Sequence, residues 1–191
     1  MSSVWGVSVR QSLDEALELL AQVVRDCPDE FWRMPMWWVD PAEIVVETRD
    51  VNGNPVADPA QREALVQKWS TPWSMAWHAL EVLDYDLTAE LDAWAPPAPF
   101  AGNPHWQTFS TLPEPWSQTE IGEYADYCRR RVHDTLVDLT DEKAATPVPR
   151  AHRYASRPYS SIVTSLVGHT TAHAIQIRQF VTASGPAHLP K

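Results

Sequence analysis

Two histidines four residues apart, His169 and His173, lie in the run GHTTAHAIQIRQF, and a third, His78, lies far upstream in WSMAWHALEVLDYDL. On a helix, positions i and i+4 share a face with Cβ atoms about 5 to 6 Å apart. Two imidazoles so placed can converge on one ion at about 2.0 to 2.1 Å from each nitrogen. Three neutral histidines without a fourth protein ligand leave one coordination position open to water or substrate, which marks a catalytic rather than a structural site. A lone histidine on an apolar face more often bonds a carbonyl. Two on one stripe change that balance, because a shared ion satisfies one nitrogen of each ring at once.

The sequence predicts helices that can carry these residues. A capping box, Ser12 to Glu15, is expected to open the first helix, with Leu13, Ala16, Leu17, Leu20, Val23, Val24 and Cys27 as its apolar stripe and Pro28 as its stop. The second helix begins with Thr71 as N-cap and Pro72 at its first position and is expected to reach about Leu91. One stripe of it is Trp73, Ala76, Trp77, Leu80, Leu83 and Leu87; a second is Met75, His78, Val82 and Tyr85; Ser74, Glu81 and Thr88 are left for a polar side. A third helix follows the box Ser117 to Glu120. The fourth spans about Tyr159 to Ser184, with Ile162, Leu166, His169, His173, Ile177 and Phe180 as its core stripe and Gly185-Pro186 as its stop.

Between these helices lie two long excursions rich in proline and tryptophan. The first, residues 28 to 70, contains FWRMPMWWVDP, a hairpin pattern around Asn52-Gly53, and a short helix from Asp58-Pro59 to about Trp69. The second covers residues 95 to 116. Both read as ordered, aromatic-packed loops that cover a pocket.

With 191 residues, the chain is expected to form a single domain, 1–191, with a full hydrophobic core. A formal charge of −10 disfavours nucleic acid and anionic membranes as partners. No signal leader or run of 18 apolar residues is present, and the two cysteines, Cys27 and Cys128, sit at apolar helix positions, so the expected setting is cytoplasmic with both thiols reduced. Dinucleotide, P-loop, HExxH and GxSxG patterns are absent.

Four helices, a histidine near the start of the second, and HTTAH followed by Gln176 and Ile177 in the fourth resemble the DinB/YfiT-like family of metal-binding four-helix bundles. The resemblance implies an all-α fold with up-down-down-up topology, here with long loop insertions. It implies that His78, His169 and His173 bind a divalent ion, commonly zinc or nickel. That family includes bacillithiol and mycothiol S-transferases and is similar to mycothiol-dependent maleylpyruvate isomerase. The implied activity is transfer of a low-molecular-weight thiol to an electrophilic small molecule, since a divalent cation lowers the pKa of a coordinated thiol. The same ion would lower the pKa of water to about 7 and support hydrolysis. Non-catalytic metal or ligand binding in a stress response is a third reading. The family habit and the tryptophan surplus together imply a homodimer.

Around the triad, Gln176 and Tyr85 share faces with the histidines and are candidates to orient a ligand. Glu81 is expected to be a solvated carboxylate, and His105, His133, His152 and His188 ordinary surface residues. Arg129 to Arg131 reads as a solvated helix face. Trp37-Trp38 and Trp73-Trp77 read as core or interface, or as walls of the pocket mouth.

Overall fold

The computed structural model describes residues 4–42, 54–88, 94–100, 115–148 and 154–184. It is all-helical in its packing elements: α1 Val4–Asp26, α2 Asp29–Trp32, α3 Pro59–Gln67, α4 Pro72–Asp86, α5 Gln118–Leu136, α6 Asp141–Ala145 and α7 Tyr159–Ser184. No helix of the described residues is long and apolar enough to cross a membrane. The expected hairpin around Asn52-Gly53 lies outside the described residues.

Local chemistry sets most of the boundaries. Ser117 accepts from the Glu120 amide while the Glu120 carboxylate accepts from the Ser117 amide, closing the expected capping box at the start of α5. Asp58 caps α3 through the Ala60 amide at 3.0 Å, with Pro59 in the first turn. A 3-10 turn, Lys68–Ser70, leads from there into α4. Thr71 precedes α4 as expected, but its hydroxyl donates backwards to the Lys68 carbonyl at 2.7 Å instead of capping. The α-helical part of α4 ends at Asp86, short of Leu91.

The expected start of the first helix is also wrong. Ser12 and Glu15 lie inside α1, which begins at Val4, because the apolar stripe continues upstream through the buried Val9 and Gly6. Tertiary burial of that earlier turn overrides a local capping pattern.

Four long helices form the bundle. α1 packs on α5 and α7, and α4 packs on the same two, so α1 and α4 stand at opposite corners. Side-chain contacts give the directions. Gln118 at the start of α5 donates to the Val24 and Cys27 carbonyls at the end of α1, whereas Arg129 further along meets Glu18, so these helices are antiparallel. Cys128 meets the Leu80 carbonyl and Arg131 meets Thr88, so α5 runs parallel to α4. Tyr159 at the start of α7 donates to the carbonyl of Leu87, just past α4, while His169 and His173 reach His78, so α7 is antiparallel to α4. The order is up, down, down, up.

Leu13, Leu17, Leu20, Leu80, Leu83 and Ile121 are wholly excluded from solvent. Each contributes about 1.5 to 3 kcal/mol of burial. Where α1 ends and α4 and α5 begin, an aromatic block closes the bundle. Trp73 stacks on Trp77, Trp77 meets Trp116 edge-on, and Phe100 lies between Trp116 and Tyr124. The Trp32 indole N–H donates to the Trp116 carbonyl at 2.8 Å, tying α2 to this block.

α4 departs from the amphipathic expectation. Ser74 and Glu81 are fully buried, as are Asp84 and Asp86. Asp84 accepts from Arg131 Nε at 3.1 Å, Trp94 Nε1 at 3.1 Å and the Tyr124 hydroxyl at 3.3 Å. Burial holds its carboxyl above the usual range in spite of the opposing pull of Arg131. Arg131 therefore pairs with a buried carboxylate rather than joining a solvated face; Arg129, equally half-buried, pairs with the exposed Glu18 and Asp126.

Candidate metal centre

His78 lies in the second turn of α4, and His169 and His173 lie midway along the antiparallel α7. One ring nitrogen from each falls within 4.8 Å of the other two. The ring centroids of His78 are 5.2 Å from those of both partners, and those of His169 and His173 are 4.5 Å apart. His173 Nε2 and His169 Nε2 are 3.1 Å apart. Two nitrogens each bound about 2.05 Å from a tetrahedral ion lie about 3.3 Å apart, so this pair already has the spacing of neighbouring ligands. The three expected residues come together, and they can chelate a metal ion.

Their tautomers can be read from the contacts. Gln176 Oε1 lies 2.8 Å from His173 Nδ1. An amide oxygen only accepts, so Nδ1 carries the proton and the Nε2 lone pair faces the cluster. Without an ion, that lone pair accepts from His169 Nε2–H. To ligate an ion through Nε2, His169 would have to carry its proton on Nδ1 instead, so that both Nε2 lone pairs face the cluster. Burial pushes the His173 pKa down, against the smaller upward effect of Gln176, so the ring is neutral at pH 7 as ligation requires.

The histidines are not at the centre of the buried face of α7. Val163, Leu166, Thr170, Ala174 and Ile177 are the buried line, whereas His169 and His173 are half-buried beside it, turned toward α4. This offset gives the cluster an outlet. A cleft of about 190 Å³ opens on it, lined by Trp37, Val39, Trp69, Ser70, Met75, His78 and His173. Met75 is three residues before His78, on the same face of α4.

The outer wall of the cleft is residues 36–39, held against the end of α3 by side-chain substitutes for strand pairing. Gln67 Nε2 donates to the Val39 carbonyl at 2.7 Å, and Gln67 Oε1 accepts from the Val39 amide at 3.1 Å. The Ser70 hydroxyl donates to the Trp37 carbonyl at 2.7 Å, and the Met36 amide donates to the Ser70 carbonyl at 2.8 Å. The first excursion thus covers the cluster as expected. In the second, 101–114 lie outside the described residues, Phe100 packs in the core and Trp116 packs against it, and neither lines the cleft.

Other candidates separate. Gln176 contacts the triad; Tyr85 instead packs edge-on against Trp94. Glu81, expected in solvent, lies in the core and acts electrostatically on Tyr124 of α5. His133 is exposed beside Asp134, and His105, His152 and His188 lie outside the described residues. Trp73 and Trp77 are core, Trp37 is a wall of the cleft, and Trp38 is 63% exposed. Gln67, Ser70 and Trp69 had no sequence signal for the site, because their parts depend on partners about thirty positions away.

No family model, curated protein or solved structure matches this chain.

Proposed function

We propose that the protein holds one divalent ion, zinc or nickel, through His78, His169 and His173, and that it transfers a low-molecular-weight thiol to an electrophilic small molecule. The observation that carries the metal reading is the convergence of the three ring nitrogens within 4.8 Å beside an open cleft. The DinB/YfiT-like resemblance supports the reaction class. A divalent ion bound here would keep a thiol ionised at neutral pH. Gln176 fixes the His173 tautomer, and Trp37 and Trp69 line the open side of the cluster.

One feature favours thiol transfer over hydrolysis. Among the described residues no carboxylate lines the cleft, so water there lacks a general base beyond the histidines themselves. The thiol must also come from outside the chain. Burial, with help from Asp29 and Glu30, pushes Cys27 up to about 11, and burial raises Cys128 well above its ordinary value, so neither is a thiolate at neutral pH. Buried, protonated thiols suit a reducing cytoplasmic setting, and the exposed Met34, Trp37 and Trp38 suit a homodimer face.

The experiment is metal analysis of the purified protein followed by turnover of an electrophile panel with and without added thiol. One equivalent of metal with thiol-dependent turnover is expected. Thiol-independent product would replace the reading by metal-assisted hydrolysis, and bound metal with no turnover would replace it by a binding role.

A further inference from the structure

The cleft beside the histidines has a chemical character of its own. Its volume is about 190 Å³. A cavity of about 150 Å³ takes one benzene molecule, so this one takes a single ring with one or two further heavy atoms. Trp37, Val39, Trp69 and Met75 supply the walls. Several backbone polar groups of the outer wall are engaged: Gln67 occupies both the amide and the carbonyl of Val39, and Ser70 occupies the carbonyl of Trp37. The Ser70 hydroxyl has committed its only proton in doing so. Among the described residues, no Lys, Arg, Asp or Glu lines the space.

Along the walls, a ligand carboxylate or a set of sugar hydroxyls would lose hydration and meet no charged partner, with the Ser70 oxygen as the side-chain acceptor there. An uncharged ring would gain contact with two indole side chains and with Met75, whose thioether favours aromatic rings. The only strong polar recognition on offer is at the histidine end. A ligand that matches this space is apolar over its body and has one donor atom at its tip.

Resting on the metal reading above, we propose that the cleft selects an uncharged single-ring aromatic thiol, its sulfur directed at the histidine cluster and its ring held between Trp37, Trp69 and Met75. The selection excludes thiols with charged or polyhydroxylated bodies. It therefore departs from the sugar-bearing bacillithiol and mycothiol that the fold resemblance alone implies, while keeping the same chemistry of a thiol at the metal.

The test uses the full chain loaded with cobalt and titrated with phenylmethanethiol, its para-carboxylate and 2-mercaptoethanol, followed through the cobalt absorption bands and tryptophan fluorescence. Phenylmethanethiol should bind at least about tenfold more tightly than either competitor, the scale of one buried aromatic contact. Trp37→Ala, at an exposed position that tolerates truncation, should keep its cobalt and lose most of that preference. Val39→Lys should keep its cobalt and turn the preference toward the carboxylate. Failure to take up one cobalt would remove the metal reading and this inference together. One bound cobalt with equal affinities for the three thiols, or with the carboxylate preferred by the unaltered protein, would overturn this inference alone. So would unchanged selectivity in both variants.

Discussion

Gln176→Leu is the most discriminating perturbation of the metal centre, because it removes one hydrogen bond from a ligand without touching any ligating nitrogen. In the native chain Gln176 accepts from His173 Nδ1 at 2.8 Å and thereby keeps the Nε2 lone pair toward the cluster. Losing such a support costs about 10 to 100-fold in metal affinity. Gln176 is itself exposed, so water can take over the bond, and the loss should sit at the lower end, about tenfold or about 1.4 kcal/mol. Gln176→Glu sharpens the argument. A carboxylate acceptor makes a stronger, charge-assisted bond to Nδ1–H and should tighten zinc binding at pH 8. It also raises the His173 pKa, so protons compete at higher pH and the gain should shrink as pH falls toward 6. Zinc competition against a chromophoric chelator, with circular dichroism to show intact helices, measures both variants. Affinity of Gln176→Leu within twofold of native would refute the tautomer argument. A loss as large as that of His173→Ala would show instead that Gln176 is itself a ligand.

His173→Ala should abolish stoichiometric zinc binding while keeping the helical spectrum; retained metal on atomic absorption would dismiss His173 as a ligand. The metal-free protein should lose stability as pH falls from about 6.5 downward, since burial depresses the folded His173 pKa and the unfolded chain then binds more protons; chemical denaturation at pH 7.5 and 5.5 checks the sign. Arg131→Met should destabilise by about 2 to 4 kcal/mol at pH 7, because it leaves the 1% exposed Asp84 without its cation. With the Asp84 pKa then raised further, that variant should recover part of the loss at pH 5, and urea titrations showing no recovery would argue that Asp84 is not the cause. Light scattering at micromolar concentration should give a dimer mass, reduced to a monomer by Trp38→Asp; a monomeric native protein would remove the dimer proposal.

How much of this was legible depended on whether a residue answers to near neighbours or distant ones. The HxxxH spacing, the Ser117 to Glu120 box and the Asp58-Pro59 start are contained within one helical turn, and the structure bears them out. Ser74 and Glu81 depart from the polar-side reading, and Arg131 from the solvated-face reading, because neighbouring elements of the bundle cover α4 on that side, a fact invisible in a helical wheel. The start of α1 was misplaced for a related reason: a capping pattern is only four residues long, and the apolar stripe upstream outweighs it. The proline and tryptophan content of residues 28 to 70 marks the cleft wall as a loop, but not its fastening, since a glutamine that imitates a strand has no signature of its own.

The division of the histidines, one on α4 and two on α7, means that an ion held by all three would act as a cross-link between those helices alone. Opening fluctuations that part α4 from α7 would have to release it, whereas motions of α5 against α1 would not. In hydrogen exchange, zinc should therefore slow the amides of α4 and α7 as a pair and leave most of α5 at its metal-free rate. The bundle would then breathe as two unequal halves, with the seam determined by which helices carry imidazole.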